Sequence, residues 1–507
     1  MKKFLALLPI LGLLFIACDN DDDTVDNTTP EEPDPVVVTP GSANFSNYVA
    51  LGNSLTAGFS DAALFISGQE ASFPNMLAGQ FALAGGGAFN IPFMADDLGG
   101  LTLGGNPISS NRLILSFATG SPTPVPVDGQ GSTEVSNVLS GNFNNMGVPG
   151  AKSYHLLAPG YGSVAGVPLG LANPYYARFA SSESATILGD AVAQSPTFFS
   201  LWIGNNDVLG YVTAGGAGVD QAGNLDPSTY GGSDISDPNV VAGSIQAILD
   251  AMTANGAGGV IANLPDVTTI PFLTTVPHNP VPLDEATAAV LNAAYAEYNQ
   301  TMLAFSTSLN PLGTPLISAE EAQRRQISFA AGATNAVVIL DEDLTDLTGV
   351  SPALINMRQA TAEDLVVLPA SAFIGTLANP ADPTSINGVA VPLADNWVLT
   401  PEEQALANAA LASYNQIIEN FANAYDLAFV DANALLTSIN QNGFPLADGS
   451  FVTADFGTGG GFSLDGVHPS PRGYAILANA FAEAINAKYG STLPGVNPLD
   501  FTGLYLN

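Results

Sequence analysis

The chain has 507 residues, with 46 acidic against 10 basic side chains and a net charge of −36. A surface of this sign repels phosphate backbones and anionic headgroups, so nucleic acid is excluded as a partner and no basic patch can attach the chain to a membrane. The one cysteine, Cys18, excludes a disulfide within the chain.

The first residues have the pattern of an export signal. Lys2 and Lys3 precede an apolar run over residues 4–17 that is too short to cross a membrane as a helix. Cys18 follows the small residue Ala17, and this arrangement resembles a bacterial lipoprotein signal; the alternative is a buried free thiol. The resemblance implies cleavage after residue 17, a lipid on Cys18, and a protein exported and anchored to the outer membrane.

Residues 18–44 are rich in Asp, Glu, Thr and Pro and contain few large apolar groups. Such a segment cannot bury enough surface to order itself, which predicts a disordered acidic linker. The acidic cluster 19–23 resembles the surface-export signals of Bacteroidetes lipoproteins. Either face of the outer membrane, including the cell surface, is therefore left open as the location of the protein.

Short apolar runs that end in Gly, Asn or Asp predict buried parallel strands. They cover residues 47–52, 197–203, 259–264 and 427–430, with a weaker candidate at 144–148. Helical patterns lie between them, the clearest beginning at Thr400-Pro401 with Glu403 completing a capping box and running to about Tyr425. Strands that alternate with helices predict an α/β fold around a parallel sheet.

One segment is repeated: residues 292–300 recur in closely similar form at 408–416, with the same Tyr-Asn-Gln order. The preceding caps, Asp284 and Thr400, favour a duplicated helix. A single repeated element does not predict a solenoid.

Four separate segments place polar residues after predicted strands, where open parallel sheets bind ligands. They are residues 52–58 with Ser54, 145–150 ending in Gly150, 202–207 with Asn206, and 465–469 with Asp465 and His468. Each alone has a simpler interpretation as a turn or a helix cap. Together they provide a hydroxyl, amide donors and a histidine with a carboxylate three residues before it.

A serine needs a base to act as a nucleophile, and a histidine held by a carboxylate can serve as one. His468 is the best of three candidates because Asp465 precedes it. His155 and His278 have no acid at that spacing and are interpreted as surface or loop histidines, although His155 could line the cleft.

In this order the four segments resemble the SGNH (GDSL-type) hydrolase family. The resemblance implies that Ser54 is the nucleophile, that Ser54, Gly150 and Asn206 form the oxyanion hole, and that His468 is the base oriented by Asp465. It also implies a flavodoxin-like three-layer α/β/α sandwich with a five-strand parallel sheet in order 2-1-3-4-5. The residue before the serine is usually aspartate in this family and is Asn53 here.

The distance from residue 207 to residue 465 exceeds what the last units of such a sheet require. We therefore expect a hydrolase domain over 45–275 and 399–507, with residues 276–398 inserted as a cap or side lobe. The acidic run at 341–346 lacks the glycine and oxygen spacing of a calcium loop and is interpreted as a solvated face or turn.

The predicted activity is hydrolysis of a carboxylic ester through an acyl-serine intermediate, without a metal or cofactor. Metal-dependent hydrolysis is disfavoured because the three histidines form no ligand pair. Acetylated glycans and lipid or short-chain esters are both compatible substrates, and the chain is expected to act as a monomer. The alternative is a catalytically silent surface lipoprotein that binds glycan or lipid in the same cleft.

Overall fold

The computed structural model describes residues 37–118, 120, 122–309 and 313–506. The strands are β1 (Tyr48–Gly52), β2 (Leu101–Leu103), β3 (Asn106–Pro107), β4 (Leu113–Ser116), β5 (Thr123–Pro126), β6 (Thr133–Glu134), β7 (Asn145–Gly147), β8 (Phe198–Trp202), β9 (Gly258–Ala262), β10 (Val338–Leu340), β11 (Met357–Gln359), β12 (Leu365–Val366), β13 (Val398–Leu399), β14 (Ala428–Val430), β15 (Phe444–Pro445) and β16 (Phe451–Val452).

The α-helices are α1 (Ser54–Ala57), α2 (Ile66–Glu70), α3 (Phe73–Leu83), α4 (Pro174–Ala177), α5 (Ile187–Val192), α6 (Asn206–Thr213), α7 (Pro238–Thr253), α8 (Pro271–Thr274), α9 (Glu285–Phe305), α10 (Ala319–Arg324), α11 (Ala370–Phe373), α12 (Pro401–Ala424), α13 (Ala432–Asn442) and α14 (Pro471–Tyr489). Short 3-10 helices lie at Ser153–Leu157, Val164–Leu169, Pro227–Thr229, Asp395–Trp397 and Pro498–Asp500.

A five-strand sheet forms the centre of the fold, in the order β14-β9-β8-β1-β7. All of its strand pairs are parallel. Numbered by their appearance in the chain, the five strands have the order 2-1-3-4-5. The predicted α/β fold, the parallel sheet and this strand order are confirmed, and each strand begins and ends within two residues of its predicted range.

The apolar runs became strands because they are covered on both faces. Every residue of β1 and β8 is buried, which matches their continuous rather than alternating hydrophobicity. Helix α14 packs against α3, where the rings of Phe73 and Phe481 stack with centroids 4.5 Å apart. Helix α12 packs against α6 and α7.

The predicted helix caps are also confirmed. Thr400 and Glu403 form a reciprocal capping box at the start of α12, with Pro401 at the first helical position. The Asp284 carboxylate caps α9 by accepting from the Thr287 N–H. Ser470 caps α14 in the same way, which fixes the backbone just after His468.

The repeated segments form equivalent contacts on α9 and α12. Asn299 accepts from the N–H of Ile327 and donates to its carbonyl, at 2.9 and 2.7 Å. Asn415 makes the same pair of bonds with Leu264, at 2.8 and 2.9 Å. Each helix therefore uses this asparagine to pair both backbone groups of one residue in a neighbouring loop.

The described residues between 276 and 398 contribute no strand to the central sheet. They contain the antiparallel pair β10–β11 and strand β12, which pairs with β13. The acidic run forms a turn in which Glu342, Asp343 and Asp346 are exposed, as predicted, whereas Asp341 does not face solvent. Its carboxylate is fully buried against the Arg358 guanidinium, which also forms a bidentate pair with Asp364 at 2.7 Å. A buried arginine requires these partners to offset its desolvation.

Cys18, the export signal over 1–17 and most of the predicted linker lie outside the described residues. Among the residues that are described, no helix combines the length and apolar character needed to cross a bilayer.

Candidate functional site

Ser54 lies at the carboxyl end of β1, as the first residue of α1. The Asn53 side chain caps this short helix by accepting from the Leu55 N–H at 3.0 Å. The serine residue is only 6% exposed and is therefore nearly buried at the carboxyl end of β1.

The structure brings Ser54, His468 and Asp465 together, although Ser54 is separated from the other two by more than 400 residues. His468 Nε2 lies 2.9 Å from Ser54 Oγ, and His468 Nδ1 lies 2.9 Å from Asp465 Oδ2. A carboxylate only accepts hydrogen bonds, so Nδ1 carries the ring proton and the neutral ring presents an unprotonated Nε2 to the serine. This tautomer can remove the hydroxyl proton.

Four further donors hold the Asp465 carboxylate. Oδ1 accepts from the Ser463 hydroxyl at 3.0 Å and from the N–H groups of Val467 and His468, both at 2.8 Å. Oδ2 accepts from the Ala62 N–H at 2.9 Å. Both carboxylate oxygens are therefore fixed, and with them the plane of the imidazole.

Burial alone would raise the pKa of Asp465. The charge of the His468 imidazolium, the imidazole N–H and the backbone N–H groups outweigh burial and lower the pKa from 3.8 to about 2. Asp465 is consequently ionised at every pH at which the imidazole could work as a base.

The Asp61-Ala62 turn that reaches Asp465 was missed by the sequence analysis. Both residues have left-handed backbone angles, with φ values of 51° and 63°, which non-glycine residues adopt at a cost. The Asp61 carboxylate accepts from the Leu464 N–H, and the backbone N–H of Asp61 donates to Ser463 Oγ, each at 2.9 Å. No local signal marks these residues, because their partners are about 400 positions away.

Three N–H groups are candidates for binding an oxyanion: those of Ser54 and Gly150 and the side-chain amide of Asn206, which lines the same pocket as Ser54. Among the described residues, neither the Ser54 N–H nor the Gly150 N–H donates a hydrogen bond to the protein. The Asn206 amide donates one of its two N–H groups to the Ala151 carbonyl at 2.9 Å, and the other has no acceptor among the described residues. Gly150 has a φ of +79°, a conformation that favours glycine. The bond to Ala151 ties Asn206 to the Gly150 turn.

Buried side-chain hydrogen bonds fix the loops that carry these donors. The Asn53 amide donates to Asn205 Oδ1 at 3.0 Å, and both side chains are buried. The buried Asp207 carboxylate accepts from the Ser153 N–H and hydroxyl at 2.8 and 3.0 Å. Asn53 thus supplies an N–H that an aspartate could not, which gives the departure from the expected aspartate a physical role.

An apolar pocket opens beside Ser54 and His468. A water-sized sphere can occupy about 100 Å³ of it, within about 860 Å³ of space between atoms that includes open solvent. Its walls come from the loop after β9, from α13 and from the first turns of α14, and Leu55 and Leu209 also line it.

No family model, no curated protein and no solved structure matches the chain.

The other two histidines do not line this pocket. His155 accepts from the Lys152 N–H through Nδ1 and stacks on Tyr161 with ring centroids 4.4 Å apart, beside a separate hollow. Burial and the nearby Lys152 charge lower the pKa of His155 to about 4. His278 lies in the loop after α8.

One group of possible metal ligands occurs among the described residues. Carboxylate oxygens of Glu342, Asp395 and Glu403 lie within 4.8 Å of one another, and none of the three lines the Ser54 pocket. Burial, more than the neighbouring Glu342 charge, raises the pKa of Glu403 to about 9. A protonated Glu403 accounts for this close approach of three acids at neutral pH.

Proposed function

We propose that the chain is a serine esterase of the SGNH hydrolase type. The observation that carries the proposal is the line of contacts from Ser54 Oγ through His468 to Asp465, with both distances at 2.9 Å. Nothing in a binding protein requires a charged carboxylate behind a histidine that faces a nearly buried serine hydroxyl.

The reaction follows from the proton positions. Ser54 Oγ attacks the ester carbonyl carbon while its proton passes to His468 Nε2. The oxyanion accepts hydrogen bonds from the N–H groups of Ser54 and Gly150 and from the free Asn206 N–H. The C–O bond to the alcohol then breaks, and the leaving oxygen takes the proton from His468.

The acyl-serine is hydrolysed by the same groups in reverse order. His468 removes a proton from water, whose oxygen attacks the acyl carbon, and the proton returns to Ser54 Oγ as the acid is released. Asp465 stays ionised throughout and stabilises the transient imidazolium. The residues described supply every proton transfer that the two steps need.

The sheet order 2-1-3-4-5 and the four polar blocks support a flavodoxin-like three-layer α/β/α sandwich of the SGNH kind. We propose that residues 276–398 are an insertion between the fourth and fifth central strands. On the sequence pattern around Cys18 we also propose that the enzyme works outside the cytoplasm as a lipid-anchored monomer.

The test is the reaction of Ser54 with a fluorophosphonate and with p-nitrophenyl esters. Wild type should be phosphonylated on Ser54, as located by mass spectrometry, and should hydrolyse the esters. Ser54→Ala should lose both reactions while keeping its circular dichroism spectrum, because it removes one hydroxyl from a helix start.

Ser438→Ala, an exposed serine on α13, is the matched control and should keep wild-type activity. Labelling at another serine, or full ester hydrolysis by Ser54→Ala, would refute the assignment. Binding of a glycan or lipid with no Ser54 reactivity would favour the catalytically silent lipoprotein instead.

A further inference from the structure

The walls of the pocket beside Ser54 are almost entirely aliphatic. Among the described residues that line it, the polar side chains are Ser54, Asn205, Asn206 and His468, apart from the Trp202 indole. The indole N–H already donates to the Asn263 carbonyl at 2.9 Å. The other four polar side chains are those of Ser54, His468, Asn206 and its neighbour Asn205, and they define the reacting end of the pocket.

We propose that this pocket binds the acyl chain of the substrate, and that the substrate is an ester of an unbranched fatty acid longer than acetate. The inference rests on the proposed function and names its substrate class. It excludes acetylated glycans as the preferred substrate.

The position of the aliphatic side chains supports an acyl chain that extends from the serine. Leu435 and Ile439 lie one turn apart on α13, and Leu477 faces them from α14. All three are only partly buried, so they present uncovered apolar surface to the pocket. An acyl chain would cover this surface without needing a hydrogen bond.

A sugar would fit this pocket poorly. Its hydroxyl groups would lose water and find no donor or acceptor beyond the reacting end, and an unpaired buried hydroxyl is unfavourable. An acetyl group would occupy only the space next to Ser54 and leave the aliphatic walls uncovered. The lining thus discriminates by chain length rather than by polar recognition.

Part of the pocket wall is closely packed and limits the length of the acyl chain. Val452 and Ile476 line the pocket and are themselves buried with Leu446 in a small separate hydrophobic cluster. Close packing there resists displacement. We therefore expect kcat/KM to reach a maximum at one acyl-chain length rather than to rise with every added methylene.

The experiment measures kcat/KM of the full chain for p-nitrophenyl esters from acetate to palmitate, each below its aggregation concentration. Each methylene buried should raise kcat/KM about fourfold until the pocket is filled, after which the gain should stop. Leu435→Trp, which fills the pocket with a larger side chain, should lower the octanoate-to-acetate ratio at least about tenfold.

Leu406→Trp is the matched control because Leu406 is 43% exposed on α12 and does not line the pocket; its ratio should equal that of wild type. If Leu435→Trp does not fold, the rates of Ser54 modification by fluorophosphonates of increasing alkyl length replace it and should show the same trend in wild type.

A flat chain-length profile, or acetate as the best substrate, would overturn the acyl-chain proposal. If that hydrolysis still depends on Ser54, the proposed esterase function stands and only its substrate class is wrong. If no ester of any length is hydrolysed in a Ser54-dependent way, the function itself fails.

Discussion

Replacing Asp465 with asparagine tests the proton arrangement at the site directly. The substitution keeps the shape of the side chain but turns one acceptor oxygen into an NH₂ group. At the Oδ1 position this NH₂ would oppose two rigid backbone N–H groups, those of Val467 and His468. At the Oδ2 position it would oppose one, that of Ala62, and the His468 ring.

The ring can change tautomer and the backbone cannot, so the NH₂ group should take the Oδ2 position. His468 Nδ1 would then accept from the amide, and the ring proton would move to Nε2, facing Ser54. A histidine in that tautomer cannot remove the serine proton. The expected loss in kcat is on the order of 10⁴, the size seen when a serine-protease triad is held in the wrong tautomer.

The same variant should be less stable. Lowering the pKa of Asp465 from 3.8 to about 2 corresponds to about 2 kcal/mol at pH values above both. Because the folded-state pKa is depressed, this stability is present above the unfolded-state pKa and is lost as pH falls through about 2.

Two measurements check this reasoning. Urea unfolding of wild type and Asp465→Asn should differ by about 2 kcal/mol at about pH 5 and converge in stronger acid, while Asp128→Asn, on the surface, should match wild type. The kcat/KM of wild type should rise with pH as the imidazole loses its proton. If Asp465→Asn keeps a tenth of the wild-type kcat and shows the same rise of kcat/KM with pH, the role of Asp465 is refuted.

Three further outcomes are expected. Asn206→Ala should lower kcat by about 10²–10³ with little change in KM, because the amide acts on the transition state; unchanged steady-state kinetics would remove it from the oxyanion site. Cys18→Ser should abolish metabolic labelling with palmitate and move the protein to the soluble fraction, and release of wild type from membranes without detergent would contradict the anchor. Glu403→Gln should raise Tm at about pH 8, because its folded-state pKa is raised, mainly by burial, to about 9 and stability therefore falls as pH rises from about 4.5 through 9. Glu402→Gln, whose partly exposed carboxylate pairs with Arg324 at 3.2 Å, should not raise it, and equal gains in both variants would refute the explanation.

Features that depend on a few consecutive residues could be read from the sequence. The central strands could be predicted from short apolar runs, because a strand that is buried on both faces of a parallel sheet is continuously apolar. The start of α12 at Thr400-Pro401 follows from a capping box that closes within four residues. Ser54, His468 and Asp465 were recognised because each lies in a short block with a family-like pattern.

The surroundings of those blocks depend on how distant segments pack in the folded chain. The Asp61-Ala62 turn reaches Asp465 because two distant loops pack together, and nothing near residue 61 in the sequence indicates a partner about 400 positions away. The aliphatic pocket is built from separate stretches, and Leu435 or Leu477 alone looks like any residue on the apolar face of a helix.

The sheet, the helix caps and the proposed reacting groups could be predicted from the sequence, because these depend on local hydrogen bonds, on hydrophobicity along the chain and on short motifs. The folded chain alone decided which nitrogen of His468 faces the serine, which donors hold Asp465, and which apolar side chains remain partly uncovered beside Ser54. These properties depend on distances between residues far apart in sequence, and close packing of the whole core fixes those distances.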